Sequence, residues 1–340
     1  MRKSNFRFGK KTRTMLQLIV LILSIFILWS LPKISSRFTI YMISRIMYMG
    51  LMTMSLNLIM GFGGLTSLSQ AGFAGIAGYA FAIYRVSMKG SYGAAVLIGL
   101  FVVMTAGLLF GGLSVRTSSI VFMMMSIALA NLVHLSSLQL TDITRGFNGI
   151  IGIKGPTING KTYSGTGNTF YIIAFIVPIS YFFLKRLVKS PFGIAIQGMR
   201  DNKTKMSSLG FNVNVIRIVL VVISSLFAGI AGILQANFFA TMAPDYVKTE
   251  YSLMCLFMCI IGGAEYLEGG LLGAAIYLML SNFISRYTRF DDAIIGGLFI
   301  IAVFLIPNGI LGEIYKLYNN LFRKRKMVSL ESGMRGDVHE

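Results

Sequence analysis

The chain has 340 residues, of which 55% are hydrophobic and only 13% charged, with a mean hydropathy of +0.73. A soluble domain carries about 25% charged residues, and the apolar runs here recur at about 20 residues, long enough to cross a hydrocarbon core of roughly 30 Å; a soluble protein is excluded, and so is a β-barrel, because alternating strand patterning is missing. The net charge of +19 calls for no nucleic-acid partner, since inner-membrane proteins concentrate Lys and Arg on their cytoplasmic loops.

In chain order, Arg2, Lys3, Arg7, Lys10, Lys11 and Arg13 precede an apolar run from Met15 to Leu31. That run ends in Trp29-Ser30-Leu31-Pro32, without a small-residue cleavage site, and reads as a retained first transmembrane helix. Further spans are predicted at about 40–60, 70–84, 92–113, 119–140, 169–186, 214–236, 251–263, 270–285 and 291–307. The third (70–84) and eighth (251–263) are short, which fits half-crossing or tilted segments. The expected fold class is therefore an all-α polytopic membrane protein with about ten transmembrane helices. It divides into a basic cytoplasmic N-terminus (1–14), a transmembrane domain (15–307) and a basic cytoplasmic tail (308–340). With the N-terminus inside, twenty Lys and Arg fall on inner segments and ten on outer ones, with Arg45 inside the second span. That bias predicts both termini and the polar stretch 189–212 on the cytoplasmic side. The longest outward loop, Thr141–Asn168, is rich in Gly, Thr and Asn, and reads either as a connector or as a docking surface for an external partner.

Glycine clusters twice: Gly61, Gly63, Gly64, Gly72, Gly75 and Gly78, then Gly262, Gly263, Gly269, Gly270 and Gly273. GFGGLTSLSQAGFAGIAGY (61–79) echoes IIGGAEYLEGGLLGAAIY (260–277), which suggests an internal repeat, a common device in transporters. The span count makes the two copies parallel. Small residues four apart let helices approach closely, and they also permit unwound backbone at membrane depth where protein covers it.

Catalytic and metal-binding constellations are missing from the sequence. His134 lies in an apolar run beside Asn131, and His339 lies in the tail. Cys255 and Cys259, four apart in an apolar span, read as packing residues, because two thiols without histidine partners make a poor metal site. The twelve acidic residues lie outside the span centres, which disfavours an ion-coupled carrier. A Walker A sequence is also missing, so any ATP must be bound by another chain. Apart from Arg45, intramembrane polarity comes from neutral groups: Asn57, Ser67, Ser69, Gln70, Asn131, Gln235, Asn237 and Asn282. Asn57, Ser67, Ser69, Gln70, Gln235 and Asn237 are the candidates for a translocation path that passes a zwitterion, and interhelical hydrogen bonding is the plainer role for each.

The stretch from Lys189 to Asn212, KSPFGIAIQGMRDNKTKMSSLGFN, has soluble-helix patterning between two apolar spans. Ser190-Pro191 suits a helix start, and Gly210 suits a stop. Ile194, Ile196, Met199, Met206 and Leu209 supply apolar contacts, while Arg200, Asp201, Asn202 and Lys203 supply polar ones. The pattern fits a helix that touches a soluble partner, or an amphipathic helix lying on lipid.

SPFGIAIQGMRDNKTKMSSLGFNV resembles the cytoplasmic coupling segment of the membrane subunits of branched-chain amino-acid ABC importers, LivM type. That family reads S-P-x-G-R-A-x-x-A-I-R-[ED]-N-E, a short gap, then L-G-x-N. The matching positions are Ser190, Pro191, Gly193, Ala195, Arg200, Asp201, Asn202, Leu209, Gly210 and Asn212. Departures fall at Ile194, Gly198 and Lys203, which bears on charge pairing with the motor. SLNLIMGFGGLTSLSQAGFAGIAGY, TRGFNGIIGI, FAGIAGILQANFFATMAPDYV, IIGGAEYLEGGLLGA and IPNGILG are similar to other parts of the family, so the resemblance covers most of 45–315. It implies a type II importer-like pore subunit. A homologous permease, two cytoplasmic ATPase subunits that bind ATP and Mg, and an extracytoplasmic substrate-binding protein would complete the assembly. Ser190, Pro191, Gly193, Ala195, Met199, Arg200, Asp201, Asn202, Met206 and Gly210 would couple the chain to the ATPase. Permeases for urea, short amides or sugars belong to the same superfamily. An integral-membrane enzyme is disfavoured by the missing His/Asp/Glu cluster.

Overall fold

The computed structural model describes residues 36–115, 117–158, 161–162, 166–288, 290–306 and 308–317. The first expected span, 15–31, and residues 318–340 of the tail lie outside the described residues. Helix α1 (Arg37–Asn57) starts at Ser36, whose Oγ accepts from the Thr39 amide, and runs on into a π-helical turn, Leu58–Phe62. Helix α2 spans Gln70–Ala82 and ends in a second π turn, Ile83–Ser87. Then come α3 (Tyr92–Ser114), α4 (Ser119–Gln139) and the single turn α5 (Thr141–Thr144). Helix α6 (Thr166–Val188) carries Pro178 inside it. Two short helices, α7 (Pro191–Asp201) and α8 (Lys203–Ser208), precede the long α9 (Val213–Phe239). The described chain closes with α10 (Thr249–Gly262), α11 (Gly269–Ile284), α12 (Asp291–Leu305) and a helical stretch over 309–317.

Five of these helices are long and apolar enough to cross a membrane: α1 with its π turn, α3, α4, α6 and α9. Helices α10 and α11 are apolar but shorter. The all-α polytopic class follows, and helix positions match the sequence periods to within a few residues. Two small antiparallel ladders lie in the connections: β1 (Ile150–Ile151) pairs with β4 (Thr241–Met242), and β2 (Thr157–Ile158) pairs with β3 (Lys161–Thr162). The described parts of the long 141–168 loop are thus folded, and β1 pins them to the end of α9.

Helix α1 is central and packs on α6, α9, α10 and α11, while α9 also packs along α2 and α3. An apolar helix surrounded by other helices needs no polar face, and nearly every α1 residue from Met47 to Asn57 is buried. Small residues set the spacing. A side chain at Gly232 would strike the backbone of Ala74, and one at Gly99 would press on the Ala77 carbonyl. Helices α3 and α4 instead turn Leu97, Phe101, Leu109, Ile120, Met124 and Leu132 outward. Such contiguous exposed apolar faces suit lipid or another membrane subunit.

The connections sort into two ends. At one end, Arg200 reaches Gly61 and Glu265, Arg217 reaches Thr117, and Ser119 reaches Gly64. At the other, Arg85 reaches Lys154 and Gly155, Tyr41 packs on Phe238, and Asn282 meets Met42. The two echoing glycine segments both turn at the first end. Gly61 lies directly against the Ala264 backbone carbonyl, where a Cβ would collide, and Asn57 Nδ2 donates to the Tyr266 carbonyl at 2.8 Å. Their orientation is parallel, as the span count gives.

Candidate coupling and translocation site

The 189–212 stretch folds as two helices, not one. Ser190 caps α7, its Oγ accepting from the Gly193 amide, with Pro191 in the first turn. Asn202 breaks the run: its backbone is extended (φ −158°, ψ 99°), and its Oδ1 accepts from the Lys205 amide to start α8. Asn favours this because a short side-chain acceptor satisfies an otherwise orphaned N–H at a helix start. Gly210 stands past the end of α8 with φ +85°, a left-handed conformation that glycine adopts without penalty.

The faces of α7 differ from the simplest reading of its sequence. Met199 is 7% exposed and Ala195 and Ile196 are buried, all in the core of their own chain. Met206 Sδ packs back over Gly198. The outward apolar groups are Ile194, 66% exposed, and Leu209, 72% exposed, with Phe211 beside them. Lys203 and Lys205 are exposed around them. Gly193 is buried because a side chain there would meet the carbonyls of Leu187 and Val188.

Arg200 turns inward. Its Nη1 donates to the Gly61 carbonyl at 2.7 Å and pairs with Glu265 at 3.0 Å, while Nε meets Asp201 at 3.3 Å. Its stem lies against Gly64, whose φ is +68°. One side chain therefore ties α7 to the π turn of α1 and to the loop that opens α11. Two more basic residues make similar ties at this end. Lys185 pairs with Glu268 at 2.8 Å, and Tyr181 donates to the same carboxylate at 2.6 Å. Burial pushes the Glu268 carboxyl up, but the hydrogen bonds from Lys185 and Tyr181 outweigh it and hold it below the usual carboxylate range. Arg217 is 4% exposed, donates to the Thr117 carbonyl at 2.7 Å and lies over the Phe122 ring.

Beyond the π turn, residues 64–69 have no helical structure, yet Leu65, Ser67, Leu68 and Ser69 are buried. Buried non-helical backbone needs partners, and serines supply them. Ser126 Oγ accepts from the Leu68 amide at 2.8 Å, and Ser252 Oγ accepts from Ala71 at 3.0 Å. Ser67 and Ser69 bond each other at 2.8 Å. Gln70, at the start of α2, accepts from Ser55 at 3.0 Å and donates to Ser224 at 3.3 Å. Ser224 lies eleven residues into α9, about 16 Å along its axis at 1.5 Å per residue. The short α2 thus begins well inside the bundle, after an unwound entry whose Leu65 and Ser67–Ser69 are covered by protein.

The six path candidates do not form one line. Ser67, Ser69 and Gln70 cluster there, fully buried. Asn57 sits nearer the Arg200 end on Tyr266. Asn237 and Gln235 lie near the other end of α9, where Asn237 Nδ2 donates to the Tyr92 hydroxyl at 3.0 Å and Gln235 Nε2 is buried without a partner. Asn131 bonds Thr249 at 2.8 Å, and His134 Nδ1 donates to the Pro244 carbonyl at 3.1 Å; both tie α4 to the segment between α9 and α10. Sequence reasoning missed the serines Ser55, Ser126, Ser224 and Ser252, which single apolar-run context makes indistinguishable from packing residues.

A family model described as branched-chain amino acid transport system / permease component matches residues 38–303. The high-affinity branched-chain amino acid transport system permease protein LivM of Escherichia coli K12 is 26% identical over 317 residues, covering 86% of this chain and 74% of that protein. LivM of Salmonella typhimurium LT2 is 25% identical over 316 residues, with the same shares. The high-affinity branched-chain amino acid transport system permease protein LivH of Escherichia coli K12 is 25% identical over 126 residues, 36% of this chain and 41% of that one. No solved structure matches the chain.

Proposed function

Because the chain belongs to the family of branched-chain amino acid transport system permease components, we propose that it carries branched-chain amino acids inward by alternating access, with motor force entering through α7. The chain is a multi-pass inner-membrane protein and the pore subunit of an ABC importer. It works with a second, LivH-like permease. In this reading two cytoplasmic ATPase subunits bind ATP and Mg and grip the exposed Ile194–Leu209 face of α7 and α8. An extracytoplasmic binding protein delivers substrate at the opposite end, onto the folded 141–162 loop. Both termini are cytoplasmic.

The observation that carries the coupling proposal is the Arg200 tie to Gly61 and Glu265. Motion of α7 pulls directly on the π turn of α1, and so on the unwound 64–69 entry that seats Gln70 between Ser55 and Ser224. Asn57, Ser67, Ser69 and Gln70 then act as a closed neutral gate whose hydrogen bonds exchange when the motor moves, while Gln235 and Asn237 line the approach. The test is reconstitution of the chain with its permease partner, ATPases and binding protein in proteoliposomes. ATP-dependent leucine uptake that is lost when the ATPases are omitted is the expected result; accumulation by this chain alone under a proton or sodium gradient overturns the reading. Orientation is checked with single cysteines, against a background of two buried native thiols, Cys255 and Cys259. A cysteine at Phe147, 81% exposed, should label from outside intact cells, and one at Thr204 only after permeabilisation.

A further inference from the structure

At the end of the molecule opposite α7, α1 carries Arg45, eight residues past its start and thus about 12 Å along its axis. It stands inside a helix long and apolar enough to cross a membrane, where an ionisable group marks a functional position by default. Among the described residues, Lys185 has Glu268 as its partner, and the buried Arg217 has the Thr117 carbonyl. Among the described residues, Arg45 joins no ion pair, and its Nε is buried without a hydrogen-bond partner. Asp245, the carboxylate next to Tyr246, is held by Lys248 at 2.6 Å.

What surrounds Arg45 is aromatic and hydroxylic. Tyr48 follows Arg45 by three residues on the same face of α1, its ring contacts those of Phe238 and Phe239, and Tyr246 links Phe239 to Tyr251, 5.9 Å away. The Tyr48 hydroxyl is itself buried and unpaired. Phe238 and Phe239 wall the group, with Phe238 5.9 Å from the Tyr48 ring and Phe239 stacked on Tyr246 at 5.2 Å. Gln235, one turn deeper on α9 and on the neighbouring i, i+3 and i+4 face, leaves its Nε2 unpaired. Helix α1 therefore leaves two unsatisfied groups, and α9 one, around this apolar wall. Native structures rarely leave such groups without a partner.

We propose that Arg45, with the hydroxyls of Tyr48 and Tyr251, is a carboxylate-binding station for an aliphatic amino acid at the mouth of the permease. The guanidinium takes the carboxylate in two parallel hydrogen bonds. The tyrosine faces hold the ammonium, and Phe238 and Phe239 receive the branched side chain. A zwitterion with an aliphatic tail satisfies all three surfaces; urea or a sugar has no carboxylate for Arg45. The station rests on the importer reading above and assigns selectivity to this chain in addition to its binding protein.

The test uses the complete membrane complex, with Arg45→Gln, Arg45→Lys and Tyr48→Phe. Binding is read from the thermal shift given by L-leucine or by leucinamide, which lacks the carboxylate, in the absence of the binding protein. Transport is read from leucine uptake in proteoliposomes. The wild-type complex is expected to be stabilised by leucine and not by leucinamide. Arg45→Gln should lose that shift, and its uptake at limiting leucine should fall on the order of 10- to 100-fold, as for a lost charge-assisted hydrogen bond. Arg45→Lys should retain part of both, and Tyr48→Phe should weaken both while folding normally. A leucine shift in Arg45→Gln equal to wild type overturns the station, as does a loss of ligand-free thermal stability that accounts for all of the transport defect. A wild-type complex that takes up no leucine overturns the importer reading itself, which sets that failure apart.

Discussion

The two ends of the molecule handle positive charge in opposite ways. At the α7 end, Lys185, Arg200 and Arg217 are each locked to a carboxylate or carbonyl on another helix or loop. At the far end, Arg85 fastens a loop through the carbonyls of Gly90, Lys154 and Gly155, while Arg45 has no partner among the described residues. Ionic ties join helices and loops at the first end, where the proposal has the motor push. An unpaired guanidinium among aromatic rings leaves the second end a surface that still has bonds to make. The proposed roles differ accordingly: transmission for the fixed pairs, recognition for the orphaned charge.

The sharpest test of the first end separates the two faces of α7. Met199→Glu buries a charge against the chain's own core, which costs several kcal/mol; folded protein recovered from membranes should fall steeply. Ile194→Glu or Leu209→Glu adds a charge where the surface is open, so the permease should remain folded but lose co-purifying ATPase. Normal folding of Met199→Glu would mean that α7 turns its other face outward.

Arg200→Ala removes a charge-assisted hydrogen bond worth about 1.5–3 kcal/mol and with it the link to Gly61. Its complex should hydrolyse ATP while uptake drops at least about tenfold. Arg85→Ala, which frees only a loop, should leave coupling intact and make the 141–162 region more open to protease. Equal uncoupling by both would erase the distinction between the ends.

Gly61→Ala forces a methyl onto the Ala264 carbonyl, and overpacking of this kind costs about 1–3 kcal/mol. Gly112→Ala has open space around it and should be neutral or slightly stabilising. The comparison is read as thermal inactivation of the purified complex; a neutral Gly61→Ala would mean that the two glycine turns are not in firm contact.

The smallest effect concerns Glu268. Its side chain and that of Lys185 remain 40% and 32% exposed, so solvent screening keeps the pair below about 1 kcal/mol. Its carboxyl is held below the ordinary value near 4.5. The contribution is therefore complete above that value and disappears as pH falls through the depressed one. Glu268→Gln should lower stability slightly at neutral pH and should erase the acid-side difference from wild type.

Sequence by itself determined the class, the helix positions and the family. Hydropathy over twenty residues reports burial in lipid or protein without needing to know which, and Ser190-Pro191 and Gly210 mark helix ends by local backbone chemistry. Local chemistry did not show which face of α7 looks outward, because Met199 and Ile194 are equally apolar; only packing against α6, α9 and the π turn put one inside and the other out. Nor did it show that α7 breaks at Asn202, since the capping bond competes closely with helix continuation. The Gln70 cluster and the Arg45 station were equally hidden. Ser55 meets Ser224 across 169 residues, and the rings of the Arg45 station come from α1, α9, the 244–247 turn and α10. Polar groups in apolar runs acquire meaning only when tertiary structure decides which of them find partners and which are left without.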